Sequence, residues 1–121
     1  MSAQDTRQRL GKAAESLVAQ YLRDRGFEIV GQNLRLGALE VDIVATKARI
    51  CVVCEVRSRR SASGVHPAET ITAAKRDRVR RAASALMKRQ DLRGLSLRLD
   101  VAAVTGATTD QPIIDYYENA L

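Results

Sequence analysis

Aromatic side chains are scarce in this sequence, at 3% of its residues, and none of them is tryptophan. Proteins that bind single-stranded nucleic acid stack its bases on aromatic rings, so this composition disfavours a single-strand stacking platform. Long apolar runs are missing too, because none approaches the ~20 residues of a membrane-spanning helix. The polar N-terminus, MSAQDTRQRL, lacks the apolar core of a signal peptide. We therefore expect a cytoplasmic protein without a membrane partner.

Cysteine is also rare, with only Cys51 and Cys54 in a lone C-x-x-C. Such a pair can bind a metal or form a redox disulfide in a cytosolic protein. Here both cysteines lie in an apolar strand pattern, ICVVCEV, in which residues three apart point to opposite faces. We therefore predict two buried free thiols that share neither a metal nor a disulfide.

The chain is basic, and its positive charge is concentrated in one segment. Its 121 residues carry a net charge of +6 and suit a single domain spanning 1–121. Twelve Lys and Arg residues lie from Arg57 to Arg98, against three acidic residues. This segregation is typical of a surface that binds nucleic acid, although a solvated helix face or a site for an acidic protein partner would have the same composition.

The hydrophobic periodicity predicts an α/β protein in the order α-β-β-β-α-β with a short C-terminal strand. Apolar residues recur at helical spacing over 6–25, with Thr6 as the N-terminal cap and Gly26 just past the end. A second helix is predicted at 69–91, after a loop at 58–68 that is rich in Ser and Arg. The strands are predicted at 27–36, 39–46, 49–57 and 95–104, with a short strand or extended tail at 112–121.

Acidic residues interrupt the second and third strands, which form a predicted antiparallel hairpin. Strand alternation places Glu40 and Asp42 on one face of the second strand and Glu55 on one face of the third. A two-residue turn at 47–48 pairs Asp42 with Val53. A slip of two residues pairs Asp42 with Glu55 and preserves the shared face, whereas a slip of one destroys it. The sequence therefore predicts that three carboxylates converge.

A cluster of like charges in a sheet requires a compensating cation. Hard carboxylate oxygens at this spacing suit Mg²⁺ or Mn²⁺, which use one or two carboxylates together with water and substrate phosphate. Alternatively, Arg57 and neighbouring arginines neutralise an ordinary charged face. The pattern alone leaves both interpretations open.

Six short stretches together resemble a known family. The hairpin LEVDIVA…VVCEVRSRR resembles the D…(D/E)-x-K signature of the restriction-endonuclease-like PD-(D/E)XK nucleases, and the whole chain resembles the YraN-like family of uncharacterised bacterial predicted nucleases. The stretches are GKAAESLVAQYLRDRGF from 11, LEVDIVA from 39, CEVRSRR from 54, HPAE from 66, AAKRDRVRRAA from 73 and LRLDVAAV from 97. Each is weak alone, but their order over most of the chain is specific.

The resemblance implies a restriction-endonuclease-like core, in which helices flank a central mixed β-sheet and the second and third strands carry a metal site. Asp42 and Glu55 match the two metal-binding acids, and Glu40 matches the acid of the family's G-E-x-D stretch. Glu15, on the first helix, matches a further acid near that site. Its position at the edge of the apolar stripe also fits a plain surface glutamate.

The sequence departs from the family pattern at Leu39, where glycine is usual, and at Arg57, where lysine is usual. Arginine holds a phosphate or stabilises developing charge, but it does not lose a proton near neutral pH and cannot deprotonate an attacking water. Lys75, on the inward stripe of the second helix, is a candidate substitute. Alternatively, its aliphatic stem covers the sheet while its ammonium reaches water.

These features predict a Mg²⁺- or Mn²⁺-dependent endonuclease that hydrolyses phosphodiester bonds of double-stranded or branched DNA. The alternative is a catalytically inactive nucleic-acid-binding module of the same fold, which the arginine at position 57 favours. The residues expected to neutralise backbone phosphates are Arg59, Arg60, Lys75, Arg76, Arg80 and Arg81. His66 is expected to cap or pack, and Asp100 to pair with an arginine outside the site. The oligomeric state stays open and includes a homodimer.

Overall fold

The computed structural model describes residues 2–60 and 66–121. The elements along the chain are α1 (Ala3–Asp24), β1 (Glu28–Leu36), β2 (Leu39–Lys47), β3 (Ile50–Arg59), a 3₁₀ turn (Pro67–Thr70), α2 (Ala73–Leu86), β4 (Ser96–Thr105) and β5 (Ile113–Tyr117). The predicted α/β class and the predicted order of elements are confirmed. Within the described residues, no helix is both long and apolar enough to cross a membrane.

The five strands form one mixed sheet in the order β1-β2-β3-β4-β5. β1, β2 and β3 are antiparallel neighbours, β4 is parallel to β3, and β5 is antiparallel to β4. A parallel pair requires a crossover connection, and α2 lies within the crossover between β3 and β4. Two core clusters form, one beneath α1 and one beneath α2, so the central strands are buried on both faces. This burial explains the almost continuous apolar run of β3.

The two cysteines lie on opposite faces of β3, as the alternation predicted. Cys54 packs in the cluster beneath α1 together with Val18, and Cys51 packs in the cluster beneath α2 together with Val79. Both thiols are free and buried, and burial raises the pKa of each. They therefore act as apolar packing residues.

α1 begins earlier than the periodicity indicated. Ser2 caps the helix, because its hydroxyl accepts a hydrogen bond from the N–H of Asp5 at 3.1 Å. The prediction that Thr6 is the cap is wrong, since Thr6 lies inside the helix. The C-terminal end follows the sequence signal: Gly26 adopts φ +90°, a left-handed conformation that glycine reaches at least cost.

α2 is shorter than the predicted span of 69–91. Pro67 opens a separate 3₁₀ turn, and the helix proper begins after Thr72, whose hydroxyl accepts a hydrogen bond from the N–H of Lys75 at 3.1 Å. The helix ends at Leu86, and turns and bends lead from there to β4. Lys75 consequently lies in the first turn of α2.

Candidate active site

The β2–β3 hairpin places Asp42 and Glu55 at opposing positions. The last residues paired in this register are Ile43 and Cys54, which are the sequence neighbours of Asp42 and Glu55 respectively. The turn lies at 48–49, one residue later in the chain than predicted, because Lys47 pairs with Ile50. The pairing of Asp42 with Val53 that the earlier turn implied is therefore wrong, and the register is the one that a slip of two residues produces.

Side-chain hydrogen bonds link the two strands beyond that last pair. The Asp42 carboxylate accepts a hydrogen bond from the N–H of Val56 at 2.8 Å. In return, the N–H of Asp42 donates to the Glu55 carboxylate at 3.4 Å, which is long for such a bond. Each acid is thus tied to the backbone of the opposite strand, and the two side chains are neighbours.

The side-chain alternation of β2 breaks at Asp42. Val41 packs beneath α2, whereas Ile43, two residues later, packs beneath α1. Residues two apart share a face in a regular strand, so the strict alternation assumed from the sequence is wrong at this point. Glu40 lies before the break; it is exposed, and its carboxylate pairs with the guanidinium of Arg35 at 3.7 Å.

The structure brings two carboxylates together rather than three. Among residues 2–60 and 66–121, no group of three or more His, Cys, Asp or Glu side chains is placed to hold one metal ion. The prediction that three carboxylates converge is therefore wrong for these residues, whereas the assignment of a metal to Asp42 and Glu55 stays a prediction. Glu40 still acts on the site at longer range, because its negative charge raises the pKa of Asp42.

Glu15 approaches the acids from α1. Its carboxylate accepts a hydrogen bond from the side-chain amide of Asn33, on β1, at 2.8 Å. Burial raises the pKa of Glu15, the bond from Asn33 opposes that rise, and the negative charges of Asp42 and Glu40 add to it. Glu15 thus lies in the electric field of the acid pair. Asn33 was missed in the sequence analysis; in the structure it stands out by its left-handed backbone, φ +51°.

Burial and mutual repulsion disfavour the ionised forms of both acids. Glu55 is 1% exposed, and burial followed by the charge of Asp42 raises its pKa to about 7. Burial also raises the pKa of Asp42, although the Val56 N–H and the Lys75 ammonium oppose this. A divalent cation would offset these costs, since it attracts two carboxylates at once. Two hard oxygen donors fit Mg²⁺ or Mn²⁺, with water and substrate completing the coordination.

Lys75 provides a cation at the acid pair. Its ammonium lies 3.2 Å from Oε1 of Glu55, and 38% of its side chain is exposed. The sequence left two interpretations of Lys75 open, a site residue or a stem whose ammonium reaches water. The ammonium contacts a carboxylate that is almost completely buried, which places Lys75 beside the candidate acids; its role there stays a prediction.

Arg57 contacts the 3₁₀ turn. One of its guanidinium nitrogens lies 3.4 Å from the hydroxyl of Thr70 and 3.5 Å from the Thr70 carbonyl, both long for hydrogen bonds. Its positive charge lowers the pKa of Asp42. The residue at the usual lysine position is therefore near the acids, but its hydrogen-bond contacts are with Thr70.

Two of the predicted phosphate-binding arginines hold the protein's own structure. Arg59 donates to Asp115 at 2.9 Å and to the hydroxyl of Thr105 at 3.0 Å. Arg76 donates to the carbonyl of Ala68 at 3.2 Å. A contact from either residue to phosphate would require breaking or sharing these bonds.

The other predicted phosphate-binding arginines are exposed. Arg80 and Arg60 present their side chains to solvent, and Arg81 pairs with Asp77 at 3.1 Å on the outer surface of α2. Such exposed pairs are weak and exchange readily for other partners.

Two clefts each add one basic residue, Arg7 and Arg78, that the sequence interpretation did not include. One cleft of about 390 Å³, between the start of α1 and the end of β3, is lined by Arg7, Arg59 and Arg60. The other, of about 240 Å³, contains Arg78 together with Lys75 and Glu40. Arg78 lies three residues after Lys75, and this spacing on a helix was the signal that could have identified it.

His66 and Asp100 behave as the sequence indicated. His66 caps the 3₁₀ turn, since its Nδ1 accepts a hydrogen bond from the N–H of Ala68, and its ring packs on Tyr117 with 4.1 Å between centroids. Asp100 is fully buried and pairs with Arg98 at 3.0 Å. Both are therefore structural residues.

Replacing Glu55 by glutamine is expected to stabilise the metal-free protein at alkaline pH. Folding raises the pKa of Glu55 from its usual 4.5 to about 7, so its contribution to stability is fully present below pH 4.5 and is lost as the pH rises through 7. Because glutamine does not ionise, we expect Glu55→Gln to unfold with a free energy about 3 kcal/mol higher than wild type near pH 8. The free energies of unfolding of the two proteins should become equal near pH 4.

Urea denaturation across this pH range, in the presence of a chelator, measures the effect. Glu28→Gln is a matched control, because Glu28 is an exposed glutamate at the start of β1. A Glu55→Gln protein that is less stable than wild type near pH 8 would contradict the expectation.

The fold and the site define an α/β protein whose mixed sheet carries a pair of acids, buried Glu55 and half-buried Asp42, between two antiparallel strands, with a lysine from a helix beside it. The chain belongs to the uncharacterised protein family UPF0102, whose family model matches residues 14–104. That range includes Glu15, Asp42, Glu55 and Lys75. The resemblance to the YraN-like family of bacterial proteins is thereby confirmed.

Individual relatives match almost the whole chain. A UPF0102 protein of Nocardia farcinica is 38% identical over 110 residues, which cover 91% of this chain and 87% of the relative. A UPF0102 protein of Sorangium cellulosum is 37% identical over 121 residues, covering 98% and 84%. One from an Arthrobacter species is 38% identical over 107 residues, covering 88% and 91%.

Proposed function

We propose that this chain is a divalent-metal-dependent nuclease that hydrolyses phosphodiester bonds of double-stranded or branched DNA. The observation that carries the proposal is the acid pair: Asp42 and Glu55 are held side by side, with raised pKa values, next to the ammonium of Lys75. Structural ion pairs also shift pKa values, but this combination of burial, like charge and a nearby cation is concentrated at functional sites.

The residues of the site have different roles in the proposed reaction. Asp42, fixed by the N–H of Val56, and Glu55 would hold Mg²⁺ or Mn²⁺. When bound, the ion supplies Lewis acidity and lowers the pKa of a water molecule. Arg57 supplies positive charge on the side of the 3₁₀ turn, where its weak contacts leave the guanidinium able to hold a phosphate.

The surface supports a duplex rather than a single strand as substrate. Exposed arginines neutralise backbone phosphates without reading sequence. Aromatic rings are few, and those present are engaged within the fold: Tyr21 stacks on Tyr116 with 5.0 Å between centroids, and Tyr117 packs on His66. Single-strand binding by base stacking is therefore disfavoured.

A cleavage screen tests the proposal. Linear, nicked, flapped and four-way DNA substrates are incubated with wild-type protein and Mn²⁺ or Mg²⁺, and binding is measured in parallel. Cleavage that requires the divalent ion supports the nuclease. Tight, salt-sensitive DNA binding without cleavage under either ion supports the inactive binding module, which the arginine at position 57 favours. Weak or salt-insensitive binding would point to an acidic protein partner.

Neutralising the cleft at the end of β3 is expected to weaken DNA binding. We expect the double variant Arg7→Gln, Arg60→Gln to flatten the dependence of log K on log salt by about 2, because each phosphate contact contributes a slope of about 1. Filter binding or fluorescence anisotropy at several salt concentrations measures the slope.

A matched double variant, Arg23→Gln with Arg93→Gln, controls for net charge. Arg23 lies at the other end of α1, about 24 Å along the helix axis from Arg7. An unchanged slope in the first variant, or an equal loss in both, would show that the cleft does not contact DNA.

A further inference from the structure

We infer that Lys75, from the first turn of α2, is the catalytic cation of the proposed nuclease and acts in place of the strand lysine that the D…(D/E)-x-K pattern leads one to expect. This inference rests on the proposed function. It assigns to a helix residue the role that the pattern assigns to position 57, where this chain has arginine.

The contacts of the two cations carry the inference. The Lys75 ammonium lies 3.2 Å from Oε1 of Glu55, within the range of a charge-assisted hydrogen bond. The Arg57 guanidinium contacts Thr70 instead, at 3.4 and 3.5 Å. Lys75 therefore touches the acid pair directly, whereas Arg57 acts on it through its field.

The helix holds Lys75 at a defined position. Thr72 caps α2 by accepting a hydrogen bond from the N–H of Lys75 itself. Val79, one turn further on, is 1% exposed and packs beneath the helix against the sheet. Positions four apart lie on one face of a helix, so the buried Val79 directs Lys75 towards β3. A rigid, packed element presents a catalytic group more accurately than a loop does.

The side chain is also able to reach a ligand. The Lys75 side chain is 38% exposed, and it lines a cleft together with Arg78 and Glu40. An ammonium has three donors, and the contact with Glu55 occupies one. The remaining donors are available to a phosphate oxygen, where the ammonium would stabilise negative charge that develops during hydrolysis.

Kinetics and Mn²⁺ affinity together test the role of Lys75. We expect Lys75→Met to lower kcat by about 10²- to 10³-fold, with KM nearly unchanged, because the lost donor acts in the transition state. Lys75→Arg should recover part of this loss. Adding Arg57→Lys to Lys75→Met should not restore turnover. Lys88→Met, an exposed lysine beyond the end of α2, is the matched control.

Mn²⁺ titration by calorimetry, without DNA, provides a second readout. Lys75 and the ion face the same carboxylate, so we expect Lys75→Met to bind Mn²⁺ about 3- to 10-fold more tightly than wild type. Lys88→Met should bind it with wild-type affinity. A merely structural lysine would not produce tighter binding together with slower turnover.

The outcomes separate the two proposals. If wild type cleaves DNA and binds Mn²⁺, the inference alone falls when Lys75→Met turns over at the wild-type rate, when its Mn²⁺ affinity is unchanged, or when Arg57→Lys restores the rate. If wild type neither cleaves nor binds Mn²⁺, the proposed function fails and the inference fails with it.

Discussion

Replacing Asp42 by asparagine is expected to eliminate Mn²⁺ binding at the acid pair and to lower the cleavage rate by about 10³-fold or more. A metal ion stabilises the transition state by several kcal/mol, and each 1.36 kcal/mol corresponds to a factor of about ten in rate. The asparagine side chain keeps the shape of aspartate, and its amide oxygen could still accept the hydrogen bond from the N–H of Val56. The substitution therefore tests the negative charge of the Asp42 side chain and leaves the shape of that side chain unchanged.

Calorimetric Mn²⁺ titration and single-turnover cleavage measure the two effects. The stability of Asp42→Asn should equal or exceed that of wild type, because the repulsion between Asp42 and Glu55 is removed. Loss of activity caused by unfolding can therefore be distinguished from loss of activity caused by the missing carboxylate. Asp110→Asn, at an exposed position before β5, is the matched control. Cleavage by Asp42→Asn within tenfold of wild type would remove Asp42 from the site.

Replacing Asp100 by alanine is expected to destabilise the fold by about 3–5 kcal/mol, the usual cost of breaking a buried ion pair. Asp100 is 0% exposed and accepts hydrogen bonds from Arg98 at 3.0 Å, the Tyr116 hydroxyl at 2.5 Å and the Asn119 N–H at 2.8 Å. Its removal leaves these donors without their acceptor. For a domain with a total stability of about 5–15 kcal/mol, this is a large fraction.

The chain contains a natural control for this experiment. Arg89 and Asp91 repeat the spacing and the two-pronged geometry of Arg98 and Asp100, with contacts of 2.9 and 3.1 Å. Asp91 is 54% exposed, whereas the side chain of Asp100 is 0% exposed. We expect Asp91→Ala to cost less than about 1 kcal/mol, because exposed pairs contribute little. Equal losses in urea denaturation would contradict the role assigned to burial.

Hydrogen bonding also separates the structural carboxylate from the candidate site. Donors from three residues surround Asp100, so its charge is satisfied within the fold. Glu55 receives one ammonium and one long contact from a backbone N–H. Both acids interrupt apolar strands, and the sequence pattern around them is alike. The two carboxylates differ in the number of hydrogen-bond donors around them, and most of these donors come from residues that are distant in the chain.

Local periodicity by itself determined the elements of this protein. The helix signal ending at Gly26, the apolar run of β3 and the opposite orientations of Cys51 and Cys54 follow from spacing, because a side chain's face is set by its place in the helix or strand period. The acid-bearing hairpin was predictable for the same reason. The predicted boundaries that were wrong are the start of α1, which Ser2 caps, and both ends of α2. Such boundaries depend on which of several residues with similar propensity caps the helix.

Only the tertiary structure decided how the site is assembled. The turn at 48–49 set the register, and the break in alternation at Asp42 removed Glu40 from the converging acids. The contact between Lys75 and Glu55 joins residues twenty positions apart through the packing of α2 on the sheet. Periodicity reports which side of an element a residue occupies, whereas contacts across elements depend on how buried faces fit together, and that information is not local.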